Sequence, residues 1–211
     1  MGILLPKVYP ILDSSCIPGS GREAFLDRLG RSMADAGVRL LEYRNKSGTD
    51  AQTLADARIL RSAMHETTLI LDDRVDVAMA ACFDGVHVDV GDLSPVDARA
   101  LLGSGAVVGT SASTEADLSA ALGSGADYIA FGPVFPTTTK QTSALPIGIE
   151  GVRRFRAVAG AGPLLVAAAG IMLETAPEIL EAGADAVAVA AAIFRVDDPA
   201  KEFKRWMAVL G

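Results

Sequence analysis

Residues 164–190 read LLVAAAGIMLETAPEILEAGADAVAVA, and the punctuation of this stretch decides the fold. Leu164–Ala168 is a short, continuous apolar run, the pattern of a strand buried on both faces. Glu174–Glu181 reads as a helix, Gly183-Ala184-Asp185 ends it with glycine at a left-handed cap, and Ala186–Ala190 is a second apolar strand. Two buried strands joined through a helix pair in parallel, by a right-handed crossover.

The same unit recurs back to the start of the chain. Strands are predicted at Val8–Leu12, Val38–Tyr43, Thr68–Asp72, Gly85–Val88, Val107–Thr110 and Tyr128–Gly132. Amphipathic segments follow them at Arg22–Ala36, Asp50–Met64, Val75–Cys82, Pro95–Leu102, Thr114–Leu122 and Ile149–Ala157, and Pro199–Leu210 follows the last strand. Gly125-Ala126-Asp127 repeats the helix-ending signal. Eight strand–helix units predict an α/β fold, a (β/α)8 TIM barrel, with residues 1–211 as a single domain. The competing arrangement is a doubly wound open sheet, which would carry a GxGxxG loop after its first strand. Ser14–Gly21 is polar and contains glycine but lacks that spacing.

Composition narrows the partners. The 211 residues are 50% hydrophobic with few aromatics, and the formal charge is −7. An acidic chain repels polyanions, so no nucleic-acid partner is expected, and anions must be held by a few local cations, main-chain N–H groups or a metal. Cys16 and Cys82 form no metal-binding spacing and read as ordinary buried or half-buried thiols. The N-terminal MGILLPKVYPIL has neither the basic start nor the long apolar run of a signal peptide, and no membrane-spanning run is found. The expected compartment is the cytoplasm.

In a barrel, chemistry sits where strands end. Glu42, Arg44 and Lys46 alternate on one face after the second strand, and Asp72, Asp73 and Arg74 follow the third. His87, Asp89 and Asp92 close the fourth, and Thr110 and Ser111 the fifth. After the sixth comes a long irregular loop, Pro133–Gly148, with Thr137, Thr138, Thr139 and Lys140; it reads as a phosphate-grasping lid, or else as a plain surface loop. The last two strands end in small residues, Ala169-Gly170 and Ala190-Ala191, beside which main-chain N–H groups can approach a phosphate. Arg44, Lys46 and Lys140 can neutralise a diphosphate. Asp73 and Asp92 beside them make sense if Mg2+ bridges carboxylate and phosphate oxygens. Each residue also has a plainer reading: solvated loop charges for Arg44 and Lys46, a surface pair or helix cap for Asp73-Arg74, a packed strand histidine for His87. No Ser–His–Asp order or paired-carboxylate spacing indicates a hydrolase.

The strings LLEYRNK (40–46), LILDDRVDVAMAACFDGVHVDVGDLSP (69–95), VVGTSAS (107–113), GADYIAFGPVFPTTTK (125–140), VAAAGI (166–171) and GADAVAVAAAIF (183–194) resemble the thiamine-phosphate synthase family, in order over nearly the whole chain. The resemblance implies a transferase of thiamine biosynthesis that joins hydroxymethylpyrimidine diphosphate to thiazole phosphate. Diphosphate leaves, and the thiazole nitrogen captures the pyrimidine-methyl cation. It further implies that Arg44, Lys46, Ser111 and Lys140 hold the leaving diphosphate, with Arg44, Lys46 and Lys140 catalytic, and that Mg2+ sits on Asp73 and Asp92. Thiazole phosphate would meet Thr137, Thr139 and the main chain of Gly170, Ala190 and Ala191, with Glu42 and Asp72 in the substrate site.

The chain departs from the family pattern where Glu42 and Asp72 replace Gln and Asn. An added like charge about 4 Å away costs on the order of 4 kcal/mol at an effective dielectric near 20, which a metal or a protonated carboxyl would cancel. Ala169 replaces the first of two glycines. Two other functions fit the barrel: an isomerase like the related thiazole tautomerase, and a non-catalytic protein that binds a phosphate ligand. Self-association is left open.

Overall fold

The computed structural model describes residues 5–137 and 144–211. Eight strands among them close into a barrel in sequence order, every neighbouring pair parallel, as the punctuation of 164–190 predicts. The strands are β1 Val8–Asp13, β2 Leu40–Arg44, β3 Thr68–Asp72, β4 Gly85–Val88, β5 Val107–Ala112, β6 Tyr128–Phe131, β7 Leu164–Ala168 and β8 Ala186–Val189. The helices are α1 Arg22–Asp35, α2 Asp50–Ala63, α3 Val75–Ala80, α4 Pro95–Leu102, α5 Glu115–Ala121, α6 Gly148–Ala159, α7 Ala176–Glu181, α8 Ala191–Phe194 and α9 Pro199–Leu210. Two short pieces have no counterpart in the sequence reading, a 3-10 turn at Ser14–Cys16 and the four-residue α8. One turn of helix carries no 3.6-residue pattern to read.

Strand alternation divides the core in two. One side chain set, with Leu12, Leu41, Leu71, Val86, Ile129 and Leu165, packs outward against the helices. The other, Tyr9, Leu40, Ile70, Tyr128, Val166, Ala186 and Ala188, fills the barrel interior. Tyr128 needs room there, and β5 supplies it: a Cβ on Gly109 would lie 2.0 Å from the Tyr128 ring.

The N-terminal end is braced by a device repeated at three of the four even-numbered strands, β4, β6 and β8. Asp84, Asp127 and Asp185 each directly precede an even-numbered strand and accept the second N–H of the strand before it, from Leu69, Val108 and Leu165, each at 2.8 Å. An arginine from the helix before, Arg61 on α2, Arg99 on α4 and Arg156 on α6, binds the same carboxylate and caps nearby loop carbonyls. Among the described residues, no helix is long and apolar enough to cross a membrane. Cys16 is half-buried, but Cys82 is exposed, which corrects the expectation of two sheltered thiols.

Candidate active site

At the C-terminal end of the strands lies a cavity of about 370 Å³. Strand periodicity fills its wall. Tyr9, Ile11 and Asp13 enter from β1, Glu42 and Arg44 from β2, Asp72 from β3 and His87 from β4. Ser111, Thr137, Gly170, Ala190 and Ala191 also line it, so the structure brings eight of the sequence-predicted site residues around one space. Tyr43, between Glu42 and Arg44, points the other way and bonds Asp56 on α2.

Lys46 stands one step outside that wall. Its Nζ pairs with Asp72 Oδ2 at 2.9 Å and with Asp73 Oδ2. Arg44 pairs through Nη1 with Asp13 and through Nε with Asp72 at 3.4 Å. Two of the three predicted diphosphate-binding cations, Arg44 and Lys46, are thus held by carboxylates, which fixes their positions before any ligand arrives. Burial pushes the Asp72 carboxyl up against the pull of Lys46.

The floor is a continuous hydrogen-bonded chain. Tyr9 Oη donates to Glu42 Oε2 at 2.7 Å and meets Tyr128 Oη at 2.6 Å; Tyr128 Oη meets His87 Nδ1 at 3.1 Å, and His87 Nε2 meets Ser111 Oγ at 2.8 Å. Burial raises the Glu42 carboxyl to about 7, against the pull of His87 and with a push from Asp72. For His87, burial opposes protonation, but Asp89, Glu42 and Asp72 outweigh it and raise its pKa. The packed-histidine reading of His87 matches its surroundings, since both ring nitrogens have partners. The sequence reading did not select Asp13, Tyr9 or Tyr128. Period-two alternation from Ile11 would have aimed Tyr9 and Asp13 inward, and Asp13 directly follows the first predicted strand. Tyr128, in contrast, looks like any aromatic at a strand start.

Asp73 and Asp92 offer a place for a divalent ion. Asp73 sits in the left-handed region, φ 65°, a costly conformation for a residue with a Cβ, and its N–H bonds His87 O at 2.8 Å. Its Oδ1 is buried and accepts no hydrogen bond. Partial burial raises the Asp92 carboxyl, with a further push from the neighbouring charge of Asp73. Two carboxylates, one with an unused oxygen, suit Mg2+, which takes one or two protein carboxylates and completes its shell with water and phosphate. Among the described residues no group of three or more acidic, histidine or cysteine side chains gathers.

The opposite wall is built from small residues. Gly170 takes φ 71°, and a Cβ there would lie 2.6 Å from the carbonyl oxygens of Phe135 and Pro136, so only glycine fits. Ala169, with φ 72°, holds a left-handed position that glycine would take without strain. The loop after β6 is anchored at both ends. Val134 and Phe135 N–H bond Ala168 O and Ala169 O, and Ile147 and Gly148 N–H bond Pro133 O and Val134 O. Thr138, Thr139 and Lys140 lie outside the described residues.

Comparison with known proteins agrees with this construction. The profile of the thiamine monophosphate synthase family matches residues 8–193. The chain is 38% identical over 210 residues to the thiamine-phosphate synthase of Koribacter versatilis strain Ellin345, covering 99% of this chain and 98% of that protein. To the thiamine-phosphate synthase of Caldivirga maquilingensis it is 35% identical over 206 residues, covering 96% of each. Among solved structures it resembles the thiamine phosphate pyrophosphorylase from Pyrococcus furiosus, with a TM-score of 0.81 and 28% identity over 97% of this chain and 95% of that one. The chain therefore belongs to the thiamine monophosphate synthase family.

Proposed function

We propose that this protein is a thiamine-phosphate synthase, a transferase that joins hydroxymethylpyrimidine diphosphate to thiazole phosphate and releases diphosphate. The observation that carries the reading is a single cavity with two different walls. One presents Arg44, backed by Lys46, among carboxylates; the other is the small-residue wall of Gly170, Ala190 and Ala191. Two substrates that each end in phosphate need two such walls. The related isomerase reading is not favoured, since the relatives compared carry the synthase name.

In this reading the bond from the pyrimidine methylene carbon to diphosphate oxygen breaks, its electrons leave with diphosphate, and the lone pair of the thiazole nitrogen forms the new carbon–nitrogen bond. No proton transfer is needed for that exchange. The residues have two tasks: to stabilise the departing charge and to hold both rings in one dry space. Arg44, Lys46, Ser111 and Lys140 are assigned to the diphosphate, and Thr137, Thr139 and the main chain of Gly170, Ala190 and Ala191 to the thiazole phosphate. Glu42 and Asp72 face the pyrimidine. Asp73 and Asp92 would hold Mg2+, which when bound supplies positive charge to diphosphate oxygens. Phosphorylated small-molecule substrates accord with a cytoplasmic location.

The test is purified protein with both substrates and Mg2+, followed for thiamine phosphate and released diphosphate. Product that disappears with a chelator is expected, as is loss of the Mg2+ response when Asp73 and Asp92 are both replaced by Asn. A folded protein that makes no product overturns the transferase reading, and an unchanged Mg2+ titration in the double variant removes those two residues from the metal role.

A further inference from the structure

We propose that Asp13 is a positioning residue for Arg44, orienting the guanidinium toward the diphosphate of the substrate; this rests on the transferase reading above.

Strand pairing puts the two residues together. Asp13 is the Cα partner of Arg44 in the β1–β2 register, so both stand at the same level of the barrel and both line the cavity. Asp13 is only 5% exposed. Its two oxygens have separate duties. Oδ1 accepts the N–H of Ser15 at 3.0 Å, which ties it to the turn at Ser14–Cys16, and Oδ2 accepts from Arg44 Nη1. The carboxylate therefore cannot swing with the arginine; it is anchored to backbone and sets where the arginine goes.

Arg44 has a second anchor at Asp72 through Nε. With Nη1 bonded to Asp13 and Nε facing Asp72, the guanidinium is held from two sides at the cavity wall. Burial raises the Asp13 carboxyl, but its bonds from Ser15 and Arg44 outweigh that and hold it below the ordinary value, so it is charged at neutral pH. An arginine held in place by a charged, backbone-tied carboxylate loses less freedom on gripping phosphate than a free one. The competing role for Asp13 is that of a rival anion that must be displaced from Arg44. The two roles differ in sign.

The experiment is calorimetric titration of inorganic diphosphate, with Mg2+ present, into the wild type, Asp13→Ala and Asp13→Asn, beside steady-state kinetics on both substrates. Asp13→Ala is expected to weaken diphosphate binding by about tenfold or more and to raise KM for the pyrimidine diphosphate. KM for thiazole phosphate should stay within about twofold, because the other wall is untouched. Asp13→Asn keeps the shape and one acceptor, so it should recover part of the loss while still binding roughly threefold more weakly than wild type. It carries the test if the alanine variant does not fold. Diphosphate binding equal to or tighter than wild type in either variant overturns the inference, the tighter outcome marking Asp13 as the rival anion. A parallel rise of both KM values overturns it too, as a general structural effect. A wild type that binds no diphosphate sinks the transferase reading instead.

Discussion

At the scale of single residues, the cavity floor places acid groups where water is scarce. Glu42 replaces the glutamine expected from the family pattern, and the structure shows how the extra charge is tolerated. Tyr9 donates to it, His87 lies along the same chain of hydrogen bonds, and burial raises its carboxyl to about 7. The consequence for stability has a definite sign. Between the ordinary carboxyl value of 4.5 and about 7, the folded protein holds a proton that the unfolded chain has released, so stability falls as pH rises through that window. His87, raised in the fold, acts in the same direction, losing its contribution as pH rises through its folded value. For Glu42 alone the effect is on the order of 3 kcal/mol. Glu42→Gln should therefore flatten the decline of Tm between pH 5 and pH 8, with the larger gain over wild type at the alkaline end. Parallel Tm curves for the two proteins would show that Glu42 is not the titrating group.

At the scale of elements, the two ends of the barrel do different work. The C-terminal ends of β1 to β5 supply Asp13, Glu42, Arg44, Asp72, His87 and Ser111 to the cavity, while the N-terminal ends carry the Asp–Arg clamps. Each clamp ties two neighbouring strands to a helix and satisfies main-chain groups that would otherwise be left at a strand end. Asp127 is typical: it receives Val108 N–H and Arg99 at 2.8 Å each. Asp127→Ala should lower unfolding stability by about 1–3 kcal/mol through the unpaired donors, with kcat and KM unchanged because the cavity lies at the opposite end. Denaturant unfolding and kinetics on the same preparation would check this; a change in KM without loss of stability would contradict the division of labour between the ends.

At the scale of the whole molecule, a chain of net charge −7 is read as binding two phosphorylated substrates, which it can do only through local arrangement. Anions that bind the folded barrel and not the unfolded chain stabilise it by mass action. Diphosphate with Mg2+ at about 100 times its dissociation constant should add about 2.7 kcal/mol, a Tm rise of roughly 5–10 °C for a chain of this length. A thermal-shift titration in which neither diphosphate nor thiazole phosphate moves Tm would argue against the cavity as their binding place.

Strand length, apolar continuity and glycine at helix ends are local properties, and they sufficed to predict eight strand–helix units and their closure. That placement also ranked strand-end residues as the candidate site, because a parallel barrel exposes those ends together. The elements missed altogether were those with no local pattern, such as the single turn of α8. Other features depended on closure. Tyr9 and Tyr128 are 119 residues apart, and neither carries any mark of the other; barrel register alone brings their hydroxyls to 2.6 Å. The pairing of Asp13 with Arg44, the deep burial of Glu42 and the unused oxygen of Asp73 have the same origin. Sequence by itself determined which residue types stand at the strand ends, because periodicity acts over a few residues. Only the tertiary structure decided which of them touch and what charge they carry, because hydrogen bonding and desolvation depend on neighbours far away in the chain.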